Sequence, residues 1–141
     1  MFGDKASLLL DTDVIINYLR GQEEETAFLR RILIDREFYG FYSSITEVEL
    51  FAVERMDQKQ EAGIKTILAH FLRIDLNSEV AQTAGKLLAR YRKSKGLEMP
   101  DAIIAASALV HNASLVSKNT KHYSFIPGLV LSPPSAYNIN L

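Results

Sequence analysis

The stretch Ser7-Leu8-Leu9-Leu10-Asp11-Thr12-Asp13-Val14-Ile15 decides how this chain is read, because a short apolar run ends abruptly in two carboxylates. An apolar run of this length is too short for a helix and fits a parallel strand covered on both faces. In open α/β sheets ligands bind beyond the carboxyl ends of the strands, so an acid at that point stands where chemistry takes place. A second reading fits the same residues. Asp11 or Thr12 is the N-cap of a helix begun by Val14-Ile15-Ile16-Asn17-Tyr18-Leu19-Arg20.

Outward from this stretch, strand and helix signals alternate. Gly21-Gln22 breaks the first helix, and Glu23-Glu24-Glu25 opens a second with acids where the helix dipole favours them. Its apolar residues Phe28, Leu29, Ile32 and Leu33 recur at helical spacing. Phe38-Tyr39-Gly40-Phe41-Tyr42-Ser43 is aromatic and favours a second strand. Ser44, with Glu47 three residues on, reads as the N-cap of a helix carrying Ile45 to Ala52. A further helix is expected over residues 60–72 and a short strand over residues 73–76. Asn77 or Ser78 then caps a long amphipathic helix that ends in Arg90-Tyr91-Arg92-Lys93-Ser94-Lys95 before Gly96. Pro100 suits the first turn of the next helix. Its run Ala102-Ile103-Ile104-Ala105-Ala106-Ser107-Ala108-Leu109 is apolar nearly all round, which predicts a buried central helix. Residues 114–117 and 129–131 read as the last two strands. The alternation predicts an α/β fold with a parallel sheet covered by helices on both faces.

The 141 residues suit one domain spanning positions 1–141, and no repeat, low-complexity segment or linker divides them. A hydrophobic fraction of 48% with 23% charged residues is that of a globular protein. The chain has no cysteine, which excludes disulfides, thiolate metal sites and a cysteine nucleophile. No apolar run approaches the roughly 18 residues of a membrane span, and the start lacks a signal-peptide pattern, so a soluble cytoplasmic protein with no membrane contact is expected. Sixteen basic against seventeen acidic residues give no global attraction to nucleic acid, so any such binding must come from a local patch.

Three acids adjoin strongly apolar segments: Asp11 at the end of the first strand, Glu49 beside Val48 and Leu50-Phe51, and Asp101 at the start of the buried helix. A charge near a dry core is costly unless paired or bound to a metal. With no histidine near them in sequence, converging acids would suit a hard, oxygen-preferring cation such as Mg²⁺ or Mn²⁺ rather than zinc. Taken singly, Glu49 also reads as an exposed helical acid paired with a lysine, and Asp101 as a favourable charge at a helix N-terminus.

Four segments in order, Leu9 to Ile15, Ser44 to Leu50, Pro100 to Ala108 and Leu115 to Tyr123, resemble the PIN-domain nucleases, most closely the VapC-type toxins of toxin–antitoxin pairs. The resemblance implies a three-layer α/β/α PIN-like fold with a mainly parallel sheet. It makes Asp11, Glu49 and Asp101 the acidic metal-site residues, with Thr12 and Thr46 as supporting hydroxyls and Asp13 in a supporting role. A fourth family position, often an aspartate, falls on Asn119, a departure that keeps an oxygen but loses a charge. The implied activity is Mg²⁺- or Mn²⁺-dependent endonucleolytic hydrolysis of RNA, and the implied partners are a small VapB-like antitoxin and a second copy in a homodimer.

Lys118 and Lys121 flank Asn119 and are candidates for contacts to RNA. Arg90, Arg92, Lys93 and Lys95 are a second basic candidate, although cations at a helix C-terminus are favoured in any case. His70, His111 and His122 are scattered, and His122, nearest the last motif, reads either as a general base or as a surface residue. The helices bearing Phe28, Leu29, Ile32 and Leu33 and bearing Phe51, Ala52 and Met56 have apolar residues enough for a partner groove, although core packing accounts for each singly. Two other functions compete: a catalytically weak PIN domain that only binds RNA, DNA or protein, as Asn119 would allow, and a haloacid-dehalogenase-type phosphatase built on Asp11-Thr12-Asp13. The phosphatase reading leaves Glu49 without a role and finds one acid where a pair is needed.

Overall fold

The computed structural model describes residues 5–138. Five strands, β1 (Ala6–Leu10), β2 (Phe38–Ser43), β3 (Leu72–Ile74), β4 (Ser114–Val116) and β5 (Leu131–Ser132), form one all-parallel sheet in the order β3-β2-β1-β4-β5. Six helices accompany them: α1 (Thr12–Leu19), α2 (Glu23–Leu33), α3 (Ser44–Phe51), α4 (Gln58–Leu68), α5 (Ser78–Lys95) and α6 (Met99–Val110). Among the described residues no helix is long and apolar enough to cross a membrane.

The alternation of side chains along β1 builds the three layers. Leu8 and Leu10 join α1, α2 and α4 through Val14, Ile15, Phe28, Leu29 and Ile64. Leu9, on the opposite face, packs with Ile104, Ala105 and Ala108 of α6. The small residues Ala102 and Ala106 let α6 lie close against α5 through Ala84, Leu88 and Tyr91. Every residue from Ala102 to Ala108 is buried, as the unbroken apolar run predicts. Gly40 is required by a close approach: a Cβ there would lie 2.5 Å from the Phe71 ring.

Several local expectations shift. Ser43, not Ser44, caps α3, its hydroxyl accepting from Ile45 N at 3.2 Å. Ser44 instead accepts from Leu76 N, and Glu47 pairs with Arg73 at 3.3 Å rather than closing a capping box. The capping box forms at α4, between Asp57 and Gln60. That helix starts and stops earlier than expected, because β3 takes up Leu72 to pair with Phe41 of β2. The last strand is Leu131–Ser132, one step later than its apolar residues suggest. Asn77 caps α5, and Gly96 ends it in the left-handed conformation at φ 71°.

Candidate active site

The sheet order places β1 between β2 and β4, so successive crossovers leave on opposite sides and open a crevice at the carboxyl ends of the strands. A cavity of about 230 Å³ lies there, lined by Asp11, Thr12, Asp13, Ile16, Glu49, Asp101, Asn119 and His122. Four carboxylates from β1, α1, α3 and α6 therefore face one cleft.

Asp11 meets both readings of its stretch at once. Its backbone continues β1 by donating to Val116 O at 2.9 Å, while its Oδ1 caps α1 by accepting from Thr12 N at 2.8 Å. Oδ2 accepts from the Ser117 hydroxyl at 2.7 Å. The side chain is buried, 6% exposed, and burial pushes its pKa up, with the Ser117 hydrogen bond opposing and the Asp101 charge adding to the rise.

A hydroxyl chain aims the second acid. Thr12 Oγ1 donates to Glu49 Oε1 at 2.7 Å, which uses its one proton, so the 2.9 Å contact with Thr46 has Thr46 as donor. Both threonines are buried, whereas Glu49 is exposed at the rim of the cleft. The expectation that Glu49 adjoins a dry core fails because α3 turns that face outward.

Asp101 sits in the first turn of α6, where the helix dipole favours its charge. Tyr123 Oη donates to its Oδ1 at 3.0 Å, and His122 Nδ1 lies 3.4 Å from Oδ2. Burial raises the Asp101 pKa; Tyr123 and His122 oppose the rise, and Glu49 adds to it. Tyr123 is 1% exposed, and burial together with the charges of Asp11 and Asp101 keeps its hydroxyl protonated as a permanent donor.

Asp13 accepts from Asn119 Nδ2 at 2.7 Å through Oδ2, while its Oδ1 is buried without a hydrogen-bond partner. Its pKa is pushed up to about 7, by burial first and then by the charge of Asp11. Asn119 N in turn donates to Ser117 Oγ at 3.0 Å, so the segment after β4 is knitted to both acids of the opening stretch.

All of Asp11, Thr12, Asp13, Thr46, Glu49, Asp101 and Asn119 are thus brought together. Lys118 is not beside them. Its ammonium turns to α2 and pairs with Glu24 at 3.5 Å and Glu25 at 3.4 Å. Lys121 is exposed on the 3₁₀ turn Thr120–His122. Arg92, Lys93 and Lys95 occupy the last turn of α5, where the helix dipole alone accounts for them. Sequence reasoning gave no role to Ser117 and Tyr123, which orient Asp11 and Asp101. Their only signal was a hydroxyl on either side of Asn119. His122 joins the cleft as an exposed residue paired with Asp101. Phe28 and Leu29 are core residues, whereas Ile32 and Leu33 line a separate shallow pocket with Phe38, Tyr39 and Leu72.

The PIN-domain family model matches residues 8–125, a span that contains every side chain of the cleft. The chain belongs to the PIN-domain family. Among curated relatives, Ribonuclease VapC19 of Mycobacterium tuberculosis is 28% identical over 127 residues, covering 89% of this chain and 98% of that protein. A toxin–antitoxin complex from Klebsiella pneumoniae is 27% identical with a TM-score of 0.69, covering 90% of this chain and 97% of that one. A DNA-bound VapBC from Salmonella typhimurium shares the fold, with a TM-score of 0.78 at 22% identity over 92% and 98% of the two chains.

The chemistry of this PIN-domain cleft suits a hard divalent cation. Its donors are carboxylates, an amide and hydroxyls, and its buried acids are raised in pKa by desolvation and mutual repulsion, both of which a cation relieves. Among the described residues no three acids or histidines are already gathered at ligating distance.

Proposed function

We propose that this PIN domain is a metal-dependent endoribonuclease, the toxin of a toxin–antitoxin pair, held in check by a small VapB-like antitoxin. The observation that carries the reading is the convergence of Asp11, Asp13, Glu49 and Asp101 on one cleft, with a buried hydroxyl behind each of Asp11, Glu49 and Asp101. Asp11, Glu49 and Asp101 would hold Mg²⁺ or Mn²⁺, which when bound polarises a phosphoryl oxygen and lowers the pKa of an attacking water.

The chain's own residues prepare that site. Thr12 N and Ser117 Oγ fix both oxygens of Asp11, Thr12 Oγ1 aims Glu49, and Tyr123 holds Asp101 with a proton that it does not give up. Preorganised donors of this kind cost no reorganisation when charge develops during the reaction. Asn119 offers an amide oxygen in place of a fourth carboxylate, its nitrogen being taken by Asp13. Lys121, exposed on the 3₁₀ turn that also carries His122 of the cleft, supplies a contact to the RNA backbone.

An apolar trough of about 490 Å³ opens beside the cleft, walled by Ile16, Leu19, Leu50, Val53, Met56 and Ile64 and sharing Glu49 with it. An antitoxin segment laid there would bury exposed Leu19 and Val53 and reach the acids. The VapBC and toxin–antitoxin assemblies among its structural relatives support this partner. The reading includes a homodimer, for which exposed Val48 and Leu76 offer apolar surface; Val48 lies one turn beyond Ser44, whose hydroxyl accepts from Leu76 N.

The test is cleavage of total cellular RNA by purified, antitoxin-free protein with Mg²⁺ or Mn²⁺, and again with excess EDTA. Discrete fragments lost with EDTA, with Asp11→Asn and with Glu49→Gln are expected. Absence of cleavage by folded, partner-free protein would move the binding-module reading ahead.

A further inference from the structure

Glu25 is the most deeply buried charged side chain among the described residues, at 0% exposure, and the cleft does not use it. It stands in the first turn of α2. Its Oε2 faces Lys118 Nζ at 3.4 Å and Asn17 Nδ2 at 3.4 Å, while Oε1 is buried without a hydrogen-bond partner. A buried carboxylate with one oxygen unsatisfied and a long ion pair on the other gives little net stability. Its effect lies in where the pair is attached.

Three consecutive residues after β4 point alternately. Ser117 reaches in to Asp11, Lys118 reaches out to Glu24 and Glu25, and Asn119 reaches in to Asp13. Lys118 is therefore the tether that sets how far its two neighbours enter the cleft. Asn17 secures the carboxylate from α1, the helix that also carries Thr12 and Asp13. Both halves of the Asp13–Asn119 contact thus hang on the same buried group.

We infer that Glu25, acting through Lys118, is a positioning residue that holds Ser117 and Asn119 against Asp11 and Asp13, so that Lys118 serves the reaction from behind the site rather than by touching RNA. The inference rests on the nuclease reading for its kinetic part only. Misplacement of a site group by about 1 Å costs on the order of a hundred-fold in rate.

The test compares wild type, Lys118→Met, Lys118→Arg and Glu25→Gln. A single-stranded RNA oligonucleotide carrying a cleavage site mapped with wild-type protein serves as substrate with Mg²⁺, and backbone amide exchange is followed at Ser117 and Asn119 in metal-free protein. Lys118→Met and Glu25→Gln should lower kcat by about ten-fold or more, with KM within about two-fold. Exchange at both amides should quicken, and Lys118→Arg, which keeps the tether, should restore most of the rate. A raised KM at unchanged kcat in Lys118→Met would make the lysine a phosphate contact and overturn the inference, as would unchanged kinetics. Should Glu25→Gln fail to fold, Lys118→Met and Lys118→Arg carry the test. If wild type cuts no RNA, the nuclease reading fails by itself. Amide exchange then decides alone, faster in Lys118→Met supporting the tether and unchanged overturning it.

Discussion

Replacing Asp13 by asparagine should stabilise the metal-free protein at neutral and alkaline pH and leave it unchanged near pH 3. The Asp13 carboxyl is pushed up from 3.8 to about 7, by burial and by the charge of Asp11. Between those values the folded chain holds a proton that the unfolded chain has released. Stability therefore falls as pH rises through this window, the penalty is complete above about 7, and it vanishes below 3.8, where both states are protonated. In a dry site the rise corresponds to about 4 kcal/mol. Asp13 is partly exposed, and solvent screening brings this to about 2 kcal/mol. For a chain of this length the entropy of unfolding is about 0.3 kcal/mol/K, so the melting temperature should rise by about 7 °C at pH 8. The new amide oxygen still accepts from Asn119, and its nitrogen takes the place of the unpartnered Oδ1, a position where the protonated carboxyl also carries its donor. Thermal denaturation of both proteins in EDTA across this pH range gives the measurement. A gap that does not widen with pH, or a variant less stable than wild type at pH 8, would refute the reasoning.

Mg²⁺ should close most of that gap at pH 8 by stabilising wild type more than Asp13→Asn, and EDTA should reopen it, as followed by melting temperature against added metal. Asp11→Asn, Glu49→Gln and Asp101→Asn should each lower RNA cleavage by on the order of a thousand-fold while the melting temperature moves by only a few degrees, since the charge each removes from a repulsive cluster offsets the hydrogen bond that the new amide loses. Tyr123→Phe strips Asp101 of its buried donor and should cost about 2 kcal/mol in urea denaturation, together with a loss of cleavage. Gly40→Ala drives a methyl group to within 2.5 and 2.9 Å of Phe71 ring carbons and 3.1 Å of Ile32, and should destabilise by about 1–3 kcal/mol while the folded protein still cleaves.

Several features of this molecule are local enough to be legible in the chain. The apolar run ending at Asp11 specifies a buried strand because it is too short for a helix and has no polar face. The order of strand and helix signals specifies a parallel sheet because helices between successive strands return the chain to the same edge, two of them in each of the first three crossovers. Asn77, Gly96 and Pro100 mark helix ends through backbone chemistry that needs no distant partner. Even the double reading of Asp11, as strand-end acid and helix cap, was present in its neighbours, and the fold keeps both. The acids of the site were named by type and by resemblance, but their meeting was not legible, because it depends on β1 lying between β2 and β4. Side-chain direction was hidden for the same reason. Composition and position put Lys118 beside Asn119 as a hand for RNA, yet alternate residues of one chain face opposite ways, and only the packing of α2 under the segment after β4 turns the lysine to Glu25. Tyr123 and Ser117 carried no signal beyond a hydroxyl near Asn119, since a hydroxyl becomes a site residue only when tertiary packing buries it within reach of a carboxylate. Sequence by itself determined which elements form and which acids are available, since those follow from short-range sterics and periodicity. Tertiary structure alone decided which side chains share the cleft and which stand behind it, because that depends on contacts between residues far apart in the chain.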